Sequence, residues 1–173
     1  MRKGGASGGN EHEAPVLVGE HGQASDALNE GAEMPKRDKT NTNPASTYYV
    51  LSALHRLGYD ARIMLGKRKT VDILVRGDDG RLREVEVKGL AGKNPWPVDS
   101  VGESREDLFF AMVCFGGTIE QIETSPEVWI IPSTALEGFV YTAPGGRRVV
   151  QYETLRREGR QYKDAWELLA GDR

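Results

Sequence analysis

The stretch VDILVRGDDGRLREVEVKG, residues 71–89, constrains this chain more than any other. Two runs of alternating character flank Gly77-Asp78-Asp79-Gly80, a composition suited to a tight turn, so the segment reads as a β-hairpin. Alternation puts Val71, Ile73, Val75, Val85 and Val87 on one face, and Thr70, Asp72, Leu74, Glu84, Glu86 and Lys88 on the other. A turn centred on Asp79 sets Asp72 opposite Glu86. Like charges directly opposed on a sheet repel each other. A divalent cation would offset that repulsion, since Mg²⁺ is held by one or two carboxylates with water and substrate phosphate in its other positions. Lys88, two residues beyond Glu86, points to the same spot. The competing explanation is a solvated strand face with a surface ion pair, which alternation also produces. Against it, aspartate is a poor strand former and here interrupts the most aliphatic part of the sequence.

The rest of the chain supplies one domain around this hairpin. With 173 residues and 38% hydrophobic content it suffices for a single core. Residues 1–43 are Gly-rich, lack a sustained period and read as a disordered tail, leaving 44–173 as the folded domain. His12 and His21 in that tail lack ligand-like spacing. Asn43 and Pro44 then signal a helix start and Gly58 its end, with Val50, Leu51, Leu54 and Leu57 at helical spacing and His55 on the surface. Strands are expected at 61–66, in the hairpin, at 108–115 and at 128–132, with a peripheral hairpin in GFVYTAPGGRRVVQY and a closing helix marked by Tyr162, Trp166 and Leu169. Strands with a helix at either end indicate an α/β fold, a mixed central sheet flanked by helices. Cys114 lies in the apolar run FFAMVCF and reads as a buried, inert thiol. A single cysteine, no signal-like start and no membrane-length apolar run fit a soluble, cytoplasmic protein.

These residues resemble the PD-(D/E)XK nuclease superfamily. Asp72 matches its aspartate, and Glu86-Val87-Lys88 its (D/E)-x-K. The layout STYYVLSALHRLGYDARI…VDILV…VEVKG is similar to small restriction-endonuclease-like and Holliday-junction-resolvase-like members, whose core runs α-β-β-β-α-β. The resemblance implies hydrolysis of nucleic-acid phosphodiesters with Mg²⁺ or Mn²⁺, DNA being the expected substrate and a homodimer an allowed assembly. It implies Asp72 and Glu86 as metal ligands, the Val87 carbonyl as a further one, and Lys88 acting on the attacking water and the charge on the phosphate. Two features depart from the pattern: Val71 replaces the motif's proline, and ASTYYVLSALHRLG carries no acid where many members place a glutamate. Glu84 on the same face is either an extra carboxylate or structural. The missing helix acid keeps open a degenerate member that binds nucleic acid or docks a partner without cutting.

A formal charge of −3 excludes a globally basic surface, so nucleic-acid affinity would come from a local patch. Lys67, Arg68 and Lys69 precede the hairpin, and Lys93 and Trp96 follow it in AGKNPWPVD. The lysines and the arginine are candidate phosphate contacts. Trp96 either stacks on a base or packs on the domain.

Overall fold

The structure is a computed structural model that describes residues 42–64 and 71–171. The tail through residue 41 and the Lys67–Lys69 loop therefore lie outside the described residues. Helix α1 (Thr42–Arg56) buries Ser46, Thr47, Val50 and Leu54. It ends where the sequence signals: Gly58 takes φ 86°, its N–H bonds His55 O, and Tyr59 N–H reaches back to Leu54 O. That pair of bonds satisfies the carbonyls a helix end leaves open, and needs a residue tolerant of positive φ. Leu57 and His55 consequently fall on the exposed side.

Strands β1 (Asp60–Ile63), β2 (Ile73–Arg76), β3 (Leu82–Leu90), β5 (Leu108–Cys114) and β6 (Glu127–Pro132) form one sheet in the order β1-β2-β3-β5-β6. Only β3 and β5 run parallel. The mixed sheet flanked by helices is as expected. The core implied by the resemblance has a helix between its third and fourth strands; here the crossover runs through residues 91–107 and the two-residue β4 (Trp96–Pro97). Its Pro, Gly and Ser content favours extended and turn conformations over a helix.

β5 is buried at every position because both sheet faces are covered. Its odd-numbered residues join α1, β2 and the valines of β3 in one core, with Val50, Leu54, Ile73, Val85 and Ile130. Its even-numbered residues face a second core built on Trp96, Trp129, Ile131, Tyr152 and Leu155. The second core is roofed by a small sheet, β4-β8-β7, comprising β7 (Val140–Thr142) and β8 (Arg148–Val150), with α2 (Ser133–Leu136) and α3 (Tyr152–Glu158) beside it. The expected peripheral hairpin is thus present, and α3, unforeseen in the sequence, follows it. The closing helix is corrected. Arg160–Tyr162 and Trp166–Leu169 are separate 3₁₀ turns. Asp164 between them has φ 52°, which a continuous α-helix does not allow. Two long-range bonds tie this end back: Tyr59 Oη donates to Trp166 O at 3.1 Å, and Asp78 N–H to Ala170 O at 2.7 Å. No helix among the described residues is long and apolar enough to cross a membrane.

Gly89 shows how closely α1 lies on β3. A Cβ there would come within 2.1 Å of Ser46 Oγ and 3.0 Å of Thr42 O. Gly89→Ala must therefore push the helix start away, and by analogy with overpacked cores it is expected to cost about 1–3 kcal/mol in a denaturant titration. An unchanged midpoint would show that α1 yields freely there.

Candidate active site

The β2–β3 ladder pairs Ile73 with Val85, Leu74 with Glu84, Val75 with Arg83 and Arg76 with Leu82, so the register centres on Asp79 as the sequence implies. The turn is fixed by Asp79, whose carboxylate takes Arg81 N–H and both terminal nitrogens of Arg83. These bonds, led by the one to Arg83, hold the Asp79 carboxyl down at about 2. At the other end the ladder slips. Asp72 N–H goes to Val85 O, and the Asp72 side chain turns onto β3, where Oδ2 accepts Val87 N–H at 2.9 Å. The aspartate is thereby anchored on the main chain between Glu86 and Lys88, in place of a simple face-to-face pair with Glu86. Its own main chain remains in the β1–β2 ladder, Met64 N–H donating to Asp72 O.

Glu84, Glu86 and Lys88 align with Leu108, Phe110 and Met112 across the parallel pair, on the sheet face of the second core. There they run past the edge of the apolar packing and into a cleft of about 770 Å³. Asp72, Glu84, Glu86 and Lys88 line one wall, Asn43 and Thr47 of α1 another, and Ser100, Glu103 and Arg105 of the crossover loop a third. Lys88 Nζ lies 2.7 Å from Glu86 Oε1, and each side chain is under one-fifth exposed. Glu84 pairs with Arg105, whose pKa this bond raises further.

The structure thus brings Asp72, Glu86, Val87 and Lys88 together at one cleft. It does not bring Lys93 there. That lysine lies over the Tyr152 ring, 5.7 Å from its centroid. Trp96 is corrected as a base-stacking residue: it is fully buried, and its Nε1 donates to Lys88 O at 3.0 Å and to Val113 O at 3.3 Å. A ring with no exposed face has nothing to offer a base. Cys114 is buried as expected, and burial pushes its thiol pKa up. Thr47 occupies the place of the missing helix acid, where the sequence offers it only as a neutral contact, and Asn43 reads there only as a helix cap; Arg105, Ser100 and Glu103 went unnoticed because the crossover loop has no periodic pattern to align it.

The fold has a counterpart. This chain is similar to a bacterial homing endonuclease, I-Ssp6803I. The TM-score is 0.50 at 16% identity, covering 77% of this chain and 91% of the other. Likeness at that identity carries the fold, and function has to be argued from the site. No protein-family model matches the sequence, and no curated protein matches it.

Proposed function

We propose that this chain is a metal-dependent nuclease of the PD-(D/E)XK kind, an endonuclease that hydrolyses DNA phosphodiesters. One observation carries the reading: the Asp72 carboxylate is anchored at Val87 N–H, between Glu86 and Lys88, and all of these residues line one cleft. A surface ion pair would not require an aspartate to leave the ladder and reach across to the next strand.

The donor set fits a hard cation. Asp72 and Glu86 offer carboxylate oxygens and Val87 a carbonyl, the ligand types Mg²⁺ and Mn²⁺ accept alongside water and phosphate. When bound, such an ion lowers the pKa of a water and neutralises charge on the phosphoryl oxygens. The chain's residues do the rest. Lys88, held at the edge of the carboxylates by Glu86, donates to the attacking water or to a phosphate oxygen as charge develops. The water oxygen bonds to phosphorus and gives up a proton to solvent, the bond to the leaving sugar oxygen breaks, and that oxygen takes up a proton.

A second reading has its own support. The α1 wall contributes Asn43 and Thr47 and no carboxylate, and no cluster of three His, Cys, Asp or Glu groups suited to a metal occurs among the described residues. This favours a nuclease-like domain that binds nucleic acid without cutting. Incubating purified protein with plasmid, single-stranded DNA, branched DNA and RNA, with Mg²⁺, Mn²⁺ or EDTA, separates the two: metal-dependent cleavage supports the first reading, and binding without cleavage the second.

Asp72→Asn tests the metal directly. The amide keeps an acceptor for Val87 N–H while removing one of two neighbouring negative charges, so in EDTA the variant should be at least as stable as wild type. Mg²⁺ should raise the wild-type melting temperature according to occupancy of the folded state, and most of that shift should vanish in the variant. Equal metal shifts in both proteins, or clear destabilisation of Asp72→Asn in EDTA, would assign Asp72 a structural role.

A further inference from the structure

The crossover loop passes the cleft, and one of its residues is gripped twice by a single side chain. Arg105 N–H donates to Ser133 Oγ at 2.8 Å, and the Ser133 hydroxyl donates back to Arg105 O at 2.6 Å. Ser133 opens α2 and is only 6% exposed. Its hydroxyl thus gives and takes a hydrogen bond with the main chain of one residue, which fixes where the Arg105 side chain starts. That side chain reaches the cleft wall. Its Nη2 donates to Glu84, while Nη1 stays 3.8 Å from Asp107, longer than a hydrogen bond. A guanidinium carries five N–H donors in a rigid fork, and the bond to Glu84 uses one of them. The rest belong to a half-exposed group on the cleft that also holds Asp72, Glu86 and Lys88. Exposed ion pairs contribute little to stability, so neutralising Glu84 gives no reason for so firm an anchor. Fork geometry on a fixed main chain suits directional recognition of phosphate oxygens.

We propose that Arg105 donates to a non-bridging oxygen of the nucleic-acid phosphodiester bound in this cleft, with Ser133 as its positioning residue. Glu84 holds the fork at the right angle, leaving its other donors for the substrate. The inference rests on the nuclease reading and deepens it, adding a substrate contact from the crossover loop to the same cleft.

Two measurements on one duplex oligonucleotide test it: cleavage in Mg²⁺, and binding in Ca²⁺ as a function of salt. Arg105→Ala should lower kcat/KM by about 10²–10³-fold, the usual loss for one donor to developing charge. It should also reduce the slope of log affinity against log salt by about 0.9, the value of one neutralised phosphate. Arg105→Lys keeps the charge without the fork, so the slope should survive while turnover falls. Ser133→Ala should likewise leave the slope and lower kcat, and Ser133→Thr, which retains a hydroxyl, should recover it. The double variant Glu84→Gln/Arg105→Ala decides against a merely neutralising arginine. If it regains wild-type cleavage and slope, Arg105 serves only Glu84 and the proposal falls while the nuclease reading stands. If wild type does not cleave but Arg105→Ala still loses the slope increment, the phosphate contact is supported and the nuclease reading fails. A wild type that does not cleave, with a slope indifferent to Arg105, overturns both.

Discussion

On the proposed nuclease mechanism, Lys88→Ala should lose cleavage by about 10²–10³-fold or more in kcat, because it would delete the donor assigned to charge that develops in the transition state. Affinity for uncleaved DNA should change little. The geometry adds a sign to a third quantity. Lys88 is paired with Glu86 at 2.7 Å, so in the metal-free protein it competes electrostatically with any cation at that carboxylate. Removing it should leave the Mg²⁺-induced rise in melting temperature at least as large as in wild type, although catalysis is gone. Paired titrations of wild type and Lys88→Ala with Mg²⁺, followed by thermal melting, check this. Equal loss of binding and turnover would make Lys88 a phosphate contact, and a diminished metal shift would make it a structural support for Glu86.

The largest effect on stability is expected at Trp96. The ring is fully buried, packs edge-on against Trp129 at 6.0 Å between centroids, and donates from Nε1 to the main chain of both β3 and β5. Trp96→Ala should cost about 3–5 kcal/mol, the range for emptying a large aromatic site. That is a large share of the 5–15 kcal/mol that typically separates folded from unfolded domains. Phenylalanine substitutions divide packing from hydrogen bonding. Trp129 is buried too, yet its Nε1 has no hydrogen-bond partner among the described residues. Trp96→Phe removes a donor that bonds two main-chain carbonyls, whereas Trp129→Phe removes an unmet donor, so the first should be the more costly by about 1–3 kcal/mol. Guanidinium unfolding of the variants measures both. A Trp129→Phe cost equal to or above that of Trp96→Phe would show that the two indoles differ in packing alone.

The hairpin was legible because strand alternation and turn composition are local. Its register about Asp79, its apolar face of Ile73, Val75, Val85 and Val87, and the burial of residues 108–114 follow from that locality. The helix stop at Gly58 was legible for the same reason. Asp72 leaving the ladder for Val87 N–H was not, because alternation fixes a face and says nothing of a side chain competing for a main-chain donor. The Arg105 wall was hidden more deeply. Its position depends on Ser133, 28 residues away, and on the parallel pairing that brings β5 beside β3. Trp96, read either as a base-stacking residue or as core, resolves as core because β4 joins the small sheet, a pairing with β8 that two strand residues do not announce. The closing segment has helical spacing at Tyr162, Trp166 and Leu169, but Asp164 in a left-handed conformation divides it.

The bonds from Tyr59 to Trp166 and from Asp78 to Ala170 bear on the order in which the molecule assembles. Both join segments about a hundred residues apart, and the parallel β3–β5 pair likewise waits for its whole crossover. Contacts of such long sequence separation close late and slow folding, since chain entropy is lost before they form. The hairpin can form early from its own turn, but the Arg105 wall requires β5 and α2, and the back of the turn is sealed only when residue 170 arrives. A partly folded chain would therefore display Asp72, Glu86 and Lys88 on an open strand face until β5 and α2 are in place, which ties the onset of any activity to closure of the crossover.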